Sequence, residues 1–268
     1  MASLKEVKGR IASVNNTRKI TSAMKMVASA KLHKAQAAIE SMLPYERRLH
    51  HILTDFMSNC TEVTSPFIVK REVKKVAVVV FASNTSLCGG FNANVIRHLV
   101  DLLAEYKPLG LENILVFPVG KKVADAVRKL GFRIEGDFQH MADKPSYQEA
   151  ADLAADLMKR FLHGDVDKVE LLYNHFKSTA SQILTRETYL PIDLNNEKKE
   201  EERTIDYILE PSAEELMQEM LPKVLRMKMF TVLLDSNAAE HAARTMAMQI
   251  ATDTVSYTHL RAHETCAD

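Results

Sequence analysis

Residues 2–58 restrict the fold more than any other stretch. They hold one glycine (Gly9) and one proline (Pro44), and most of the remainder are good helix formers. Apolar residues at Leu4, Val7, Ile11 and Val14 follow the three–four alternation of a coiled-coil seam. The spacing then slips and resumes at Ile20, Met24, Val27, Ala28, Leu32, Ala35, Ile39 and Met42. The pattern persists beyond Pro44 through Leu49, Ile52, Leu53 and Phe56, which predicts a bent helix rather than a stop. At 1.5 Å per residue this helix would be roughly 85 Å long, more than twice the diameter of a small domain. It cannot bury its apolar stripe alone and needs a second long helix.

The other end of the chain supplies one. Pro211 and Ser212 are helix-start signals, with Glu214 and Glu215 in the first turn. Leu216, Met220, Val224, Met227, Phe230, Leu233, Leu234, Ala238, Ala242, Met246 and Ile250 then keep a helical period to Asp253, with a kink expected at Pro222. The run from Ala238 to Thr252 is rich in alanine, so a partner helix can approach closely. The two end helices are expected to pack antiparallel.

Between them the period changes. Lys75–Phe81 is a continuous β-branched run, as in a strand buried on both faces. Helices are predicted at Phe91–Tyr106, Lys121–Leu130 and Ser146–Leu162, the last with a capping box from Ser146 and Glu149. Further strands are predicted at Glu112–Pro118, Arg133–Glu135, Lys168–Tyr173 and Gln182–Leu190. Strands alternating with helices argue for an open, mostly parallel α/β sheet of Rossmann-like type. The expected layout is a coiled-coil helix over 1–58, an α/β domain over 73–193 and a second coiled-coil helix over 211–254, with connectors at Cys60–Glu72 and the charged spacer Asn195–Glu202.

Formal net charge is zero, from 35 basic and 35 acidic side chains. That balance conceals an asymmetry: Lys5 to Lys34 carries eight Lys/Arg and one acid, Glu6. A basic helix seeks an acidic protein surface, anionic lipid or nucleic acid, or is simply a solvated face. The three cysteines (Cys60, Cys88, Cys266) have no paired spacing and suggest a reducing compartment without a zinc site. No signal peptide and no apolar run of membrane-spanning length is visible. The junction Leu87-Cys88-Gly89-Gly90-Phe91-Asn92 lies between a strand and a helix, where glycines can let backbone amides approach a phosphate. It lacks the glycine fingerprints of nucleotide sites, and its bland reading is a structural turn at Cys88, Gly89 and Gly90. A thiol at such a place could also be activated, but no catalytic His or Asp spacing accompanies Cys88. The residues alone thus leave three readings open: a subunit of an assembly, a basic-helix binder of nucleic acid or membrane, and a phosphate- or nucleotide-binding enzyme using Cys88–Gly90.

The run Arg10–Lys31 (RIASVNNTRKITSAMKMVASAK) closely resembles the N-terminal signature of the gamma subunits of F-type ATP synthases. Leu87–Asn92 is similar to the second signature of that family, and Tyr207–Pro211, Glu240–Met248 and Ala251–Asp253 to its C-terminal helix. Ser83-Asn84-Thr85-Ser86 departs from the family pattern, which usually has Asp at position 84. The resemblance implies a non-catalytic rotor shaft without cofactor or metal. Its end helices would turn inside a ring of three alpha and three beta subunits, with the α/β domain beside epsilon and the c ring. It also implies a peripheral place on the cytoplasmic face of a bacterial membrane, with H⁺ or Na⁺ as coupling ion and no nucleic acid. The residues implied at subunit interfaces are Arg10, Arg18, Lys19, Met24, Lys25 and Lys31 on the first helix, with Tyr207, Arg244 and Met248 from the C-terminal region. After Asp253 the family pattern stops. Residues 255–268 resemble the translation of a sequencing adapter, so a non-native tail and a shortened shaft are expected.

Overall fold

The structure, a computed structural model, describes residues 4–59, 65–192 and 213–264. Helix α1 (Leu4–Asn59) is continuous through Pro44, and the last helix, α6 (Ala213–Glu264), is continuous through Pro222. The predicted start of α6 at Pro211–Ser212, the charged spacer, Tyr207, Cys60 and Cys266 lie outside the described residues.

The central elements are β1 (Val76–Phe81), α2 (Phe91–Tyr106), β2 (Ile114–Val119), α3 (Lys121–Leu130), β3 (Arg133–Ile134), α4 (Gln139–Asp143), α5 (Tyr147–His163), β4 (Lys168–Ser178) and β5 (Ser181–Leu190). The sheet order is β3-β2-β1-β4-β5. The first three pairings are parallel, and β5 joins β4 as an antiparallel hairpin edge. All six residues of β1 are buried because helices cover both faces. Val76, Val78 and Val80 pack on α2 and α3. Ala77, Val79 and Phe81 face a larger core that takes in α4, α5 and α6.

That larger core shows how the parts are joined. It includes Met217, Leu221, Leu225, Met229, Phe230 and Leu234 of α6, and Ala38, Ile39 and Met42 of α1 pack against it. The C-terminal helix is therefore both a layer of the α/β domain and one strand of the helical pair. Farther along, Leu32 and Ala35 of α1 meet Ala238 and Ala242 of α6, and Thr21 Oγ1 lies 2.8 Å from Thr252 Oγ1. Residue numbers rise on one helix as they fall on the other, so the pair is antiparallel.

Several local predictions need correction. Ile20 and Val27 do not lie in the seam: they are 60% and 59% exposed, whereas Thr21, Ala28, Leu32 and Ala35 are buried. Leu32 and Ala35 pack on Ala238 and Ala242, and Thr21 meets Thr252, so the seam is built mainly of small residues while Ile20 and Val27 are left outside. The capping box at α5 does not form. Ser146 holds the N-cap position without a side-chain bond, and Glu149 Oε1 instead meets His140 Nδ1 at 2.9 Å. His140 belongs to α4, a short helix the sequence did not announce. The strand expected from Glu112 begins at Ile114, since Leu111–Asn113 forms a 3₁₀ turn after Gly110. Strand β4 runs on to Ser178, beyond its parallel partner, because the hairpin with β5 supplies its hydrogen bonds there.

Candidate functional site

The strand order reverses between β1 and β4, where open α/β sheets usually hold ligands outside the carboxyl ends of their strands. Here the chain fills that place itself. The loop after β1 is tied down by Asn92, whose Oδ1 accepts from Ser83 N at 3.1 Å and whose Nδ2 donates to Ser83 Oγ at 2.8 Å. Asn84 bridges two further elements: Oδ1 accepts from Lys121 N and Nδ2 donates to Gln139 O, both at 2.8 Å. An aspartate at this position could accept the first bond but not donate the second. Leu87 (φ +67°) and Gly89 (φ +59°) reverse the backbone, while Gly90 sits at φ −82° as the N-cap of α2. Of the glycine pair, only Gly89 uses the left-handed region that glycine enters freely. Cys88 is buried beside Asn92 Nδ2 (3.2 Å) and Ser83 Oγ (3.8 Å), neither of them a base, and packs with Phe91 on Ala239 and Ala243 of α6.

Over the ends of β1 and β2, Leu233, Ser236, Asn237 and Glu240 of α6 close against Phe81, Ala82, Val119 and Ala142, leaving a cavity of about 10 Å³. That admits about one water molecule and not a nucleotide. One turn on, Glu240 and Arg244 form an ion pair at 2.7 Å, and Arg244 Nη2 donates to Thr85 Oγ1 at 2.8 Å. Burial pushes the Glu240 carboxyl above the ordinary carboxylate range, against the pull of Arg244 and Lys31. Burial, then the Arg244 and Lys31 charges, pull His241 down to about 4. His241 is thus neutral at physiological pH, and its Nδ1 can accept from Arg244 Nη1 at 3.4 Å.

With the sheet's ligand position closed, the outside of the helical pair offers an open surface. Arg10, Arg18, Lys19 and Lys31 are exposed, and Met24 and Lys25 are half-buried. At about 100° per residue, Met24 and Lys25 flank the seam while Lys19 points away from it. Ile20, Val27, Lys31 and Lys34 share that outward side, so the free face of α1 is basic and apolar together. Met26 (65% exposed) and Ile250 on α6 (59%) add to the apolar surface. Arg244 is committed to Glu240 and Thr85, and Met248 is buried. Tyr207 lies outside the described residues. Sequence reasoning did not single out Ile20, Met26, Val27 and Ile250 as exposed. The available signal was that Thr21, Ala28 and Ala35, seven apart, form a seam of small residues that a count of bulky ones passes over.

A family model described as ATP synthase matches residues 3–259. The ATP synthase gamma chain of Phocaeicola vulgatus is 81% identical over 255 residues, covering 94% of this chain and 88% of that relative. The chain belongs to the ATP synthase gamma-chain family. The gamma chains of Bacteroides thetaiotaomicron (61% identical, 94% of this chain and 89% of the relative) and Flavobacterium johnsoniae (41%, 94% and 87%) are more distant relatives. In fold, the chain is similar to the rotor of the Euglena gracilis mitochondrial ATP synthase, with a TM-score of 0.61 at 18% identity over 97% of this chain and 94% of that one. It is also similar to a chain from the central stalk and c-ring of the Tetrahymena thermophila enzyme, with a TM-score of 0.58 at 23% identity over 87% of this chain and 99% of that one. It is a central-stalk subunit of ATP synthase and not a catalytic one. Among the described residues, no helix is long and apolar enough to cross a membrane.

Proposed function

We propose that the antiparallel pair α1–α6 is a rotor shaft that turns inside a ring of three alpha and three beta subunits. The α/β domain is carried below, against epsilon and the c ring at the cytoplasmic face of the membrane. Passage of H⁺ or Na⁺ through the membrane sector turns the ring of c subunits. The shaft, being asymmetric, then biases each beta subunit in turn towards a different nucleotide affinity, which is coupling between distant sites through a rigid element. The observation that carries this reading is the outer face of α1, where Lys19, Lys31 and Lys34 accompany exposed Ile20 and Val27, with Arg18 on the other flank. A turning shaft needs repeated, shallow contacts, and the basic side chains suit acidic loops of the ring, with Arg10, Lys25 and Met24 at its margins.

Reconstitution tests the proposal. Mixed with alpha and beta subunits, the chain is expected to enter a complex of three alpha, three beta and one copy of itself, and to rotate when ATP is hydrolysed. Failure to assemble, or assembly without rotation, would overturn it. Binding of the isolated chain to DNA or to anionic vesicles, lost steeply as salt rises, would instead favour a basic-helix binder.

A further inference from the structure

Between Leu233 and Arg244, α1 and the loops at the carboxyl end of the sheet together enclose α6. Ala238 and Ala242 face Leu32 and Ala35 of α1, while Ala239 and Ala243 carry Cys88 and Phe91. Leu233, Ser236, Asn237 and Glu240 close over β1 and β2. At about 100° per residue, these contacts cover about 260° of the helix circumference. Phe176, at the far end of β4, packs into both small clusters and so touches the shaft and the loop together.

The polar ties come from three separate connections. Asp235 accepts from Phe176 N at 2.8 Å and pairs with His175 Nδ1 at 2.7 Å, holding the β4–β5 hairpin. Asn237 Nδ2 donates to Ala142 O at 3.0 Å, holding α4. Arg244 donates to Thr85, holding the β1–α2 loop. By the same helical geometry Asp235 lies on the opposite side of α6 from Asn237 and Arg244, about 160–180° away.

We propose that this collar is the joint that locks the α/β domain to the shaft against twisting, with Asp235, Asn237 and Arg244 as its positioning residues. The proposal rests on the rotor reading, because only a chain that transmits torque needs such a joint. Apolar packing along one side of a helix lets it roll, since the contacts are non-directional. Hydrogen bonds on opposite flanks resist rolling in either direction. A roll of about 20° moves an atom at the side-chain radius by about 2 Å, enough to break a hydrogen bond.

The test uses the assembled complex, fixed to a surface through the beta subunits, with a bead on the α/β domain. The width of the bead's angular fluctuation at a catalytic pause reports torsional stiffness. Asp235→Ala and Thr85→Val are expected to widen the fluctuation by about half, each releasing one of the three connections of the collar, while the ATP hydrolysis rate stays within about two-fold of wild type. Asp235→Asn keeps an oxygen for Phe176 N and is expected to restore most of the stiffness. Unchanged fluctuation in both variants overturns the joint, as does a loss of stiffness that always accompanies equal losses of assembly and hydrolysis. If Asp235→Ala does not assemble, Thr85→Val, on an exposed loop, decides alone. A wild-type chain that fails to turn in the ring overturns the rotor reading itself, and the joint with it.

Discussion

His241 and Glu240 stand side by side in α6, and burial shifts them in opposite directions along the pH scale. His241 titrates near 4 in the fold and near its ordinary 6.5 when unfolded, so between those values the unfolded chain binds more protons. Its neutral form therefore contributes stability above pH 6.5 that is lost as pH falls towards 4. From pH 7 to 5 the loss is on the order of 1–2 kcal/mol. Glu240 has the opposite sign, because its raised value favours the folded state as acid is added. The comparison that isolates the histidine is urea unfolding of wild type against His241→Gln at both pH values, where the variant is expected to lose less stability on acidification. Gly120 gives a sharper residue-scale prediction. It sits at φ +113°, and a Cβ there would lie 2.2 Å from Ala82 O, a backbone atom with no freedom to retreat. Gly120→Ala is expected to cost at least about 3 kcal/mol, read as a lowered urea midpoint, whereas Gly131→Ala, with open space around it, should cost about 1 kcal/mol.

Among the elements, the edge strand β5 depends on a charged cluster rather than on apolar packing alone. Glu170 on β4 is 2% exposed and accepts from Arg186 Nε at 3.0 Å and Lys168 Nζ at 2.6 Å, with Tyr106 OH at 2.9 Å. Burial alone would raise the Glu170 carboxyl, but these bonds from Arg186, Lys168 and Tyr106 outweigh it and hold it below the ordinary range. Arg186 also reaches Glu105 at 2.7 Å and so ties β5 to the end of α2. Arg186→Leu is expected to cost about 3 kcal/mol in thermal or urea unfolding, because it strips a buried carboxylate of one partner. Arg186→Lys should recover only part of this, since an ammonium cannot make the forked contact. In the helical pair the seam is small rather than bulky. Ala238→Leu, at a fully buried position against Leu32 and Ala35, is expected to cost about 1–3 kcal/mol through overpacking, whereas Ile250→Leu on the exposed side should be close to neutral.

For the whole molecule, the chain is one body with two surfaces that answer to different demands. The α/β core holds itself together, and α6 carries that core into the shaft. The outside of the shaft has apolar side chains that remain exposed among the described residues. Ile20→Asp combined with Val27→Asp is therefore expected to leave the unfolding midpoint of the isolated chain within about 0.5 kcal/mol of wild type. The same pair should weaken assembly with alpha and beta subunits at least about ten-fold, measured by titration of the ring. An unfolding midpoint that falls in step with assembly would show that these residues serve the fold and not a partner.

Most of the elements are legible locally in the sequence, although α4 and the extension of β4 to Ser178 are not. Helical periodicity in the N-terminal segment, the β-branched run at Val76–Phe81 and the glycine stop at Gly131 are local signals, and α1, β1 and α3 form within a residue or two of the predicted limits, whereas α6 runs to Glu264, beyond the expected end at 254. The sequence also carried the family, through linear motifs at Arg10–Lys31 and Leu87–Asn92. Tertiary structure alone decided which residues of α1 turn inward. Seam positions depend on the facing helix: Ala238 and Ala242 of α6 meet Leu32 and Ala35, Thr252 meets Thr21, and Ile20 and Val27 are left outside. Only the fold could bring Asp235, Asn237 and Arg244 to loops about 60 to 160 residues away in the chain. Those bonds depend on where the sheet ends against the helix, a relation that no local pattern in either segment contains.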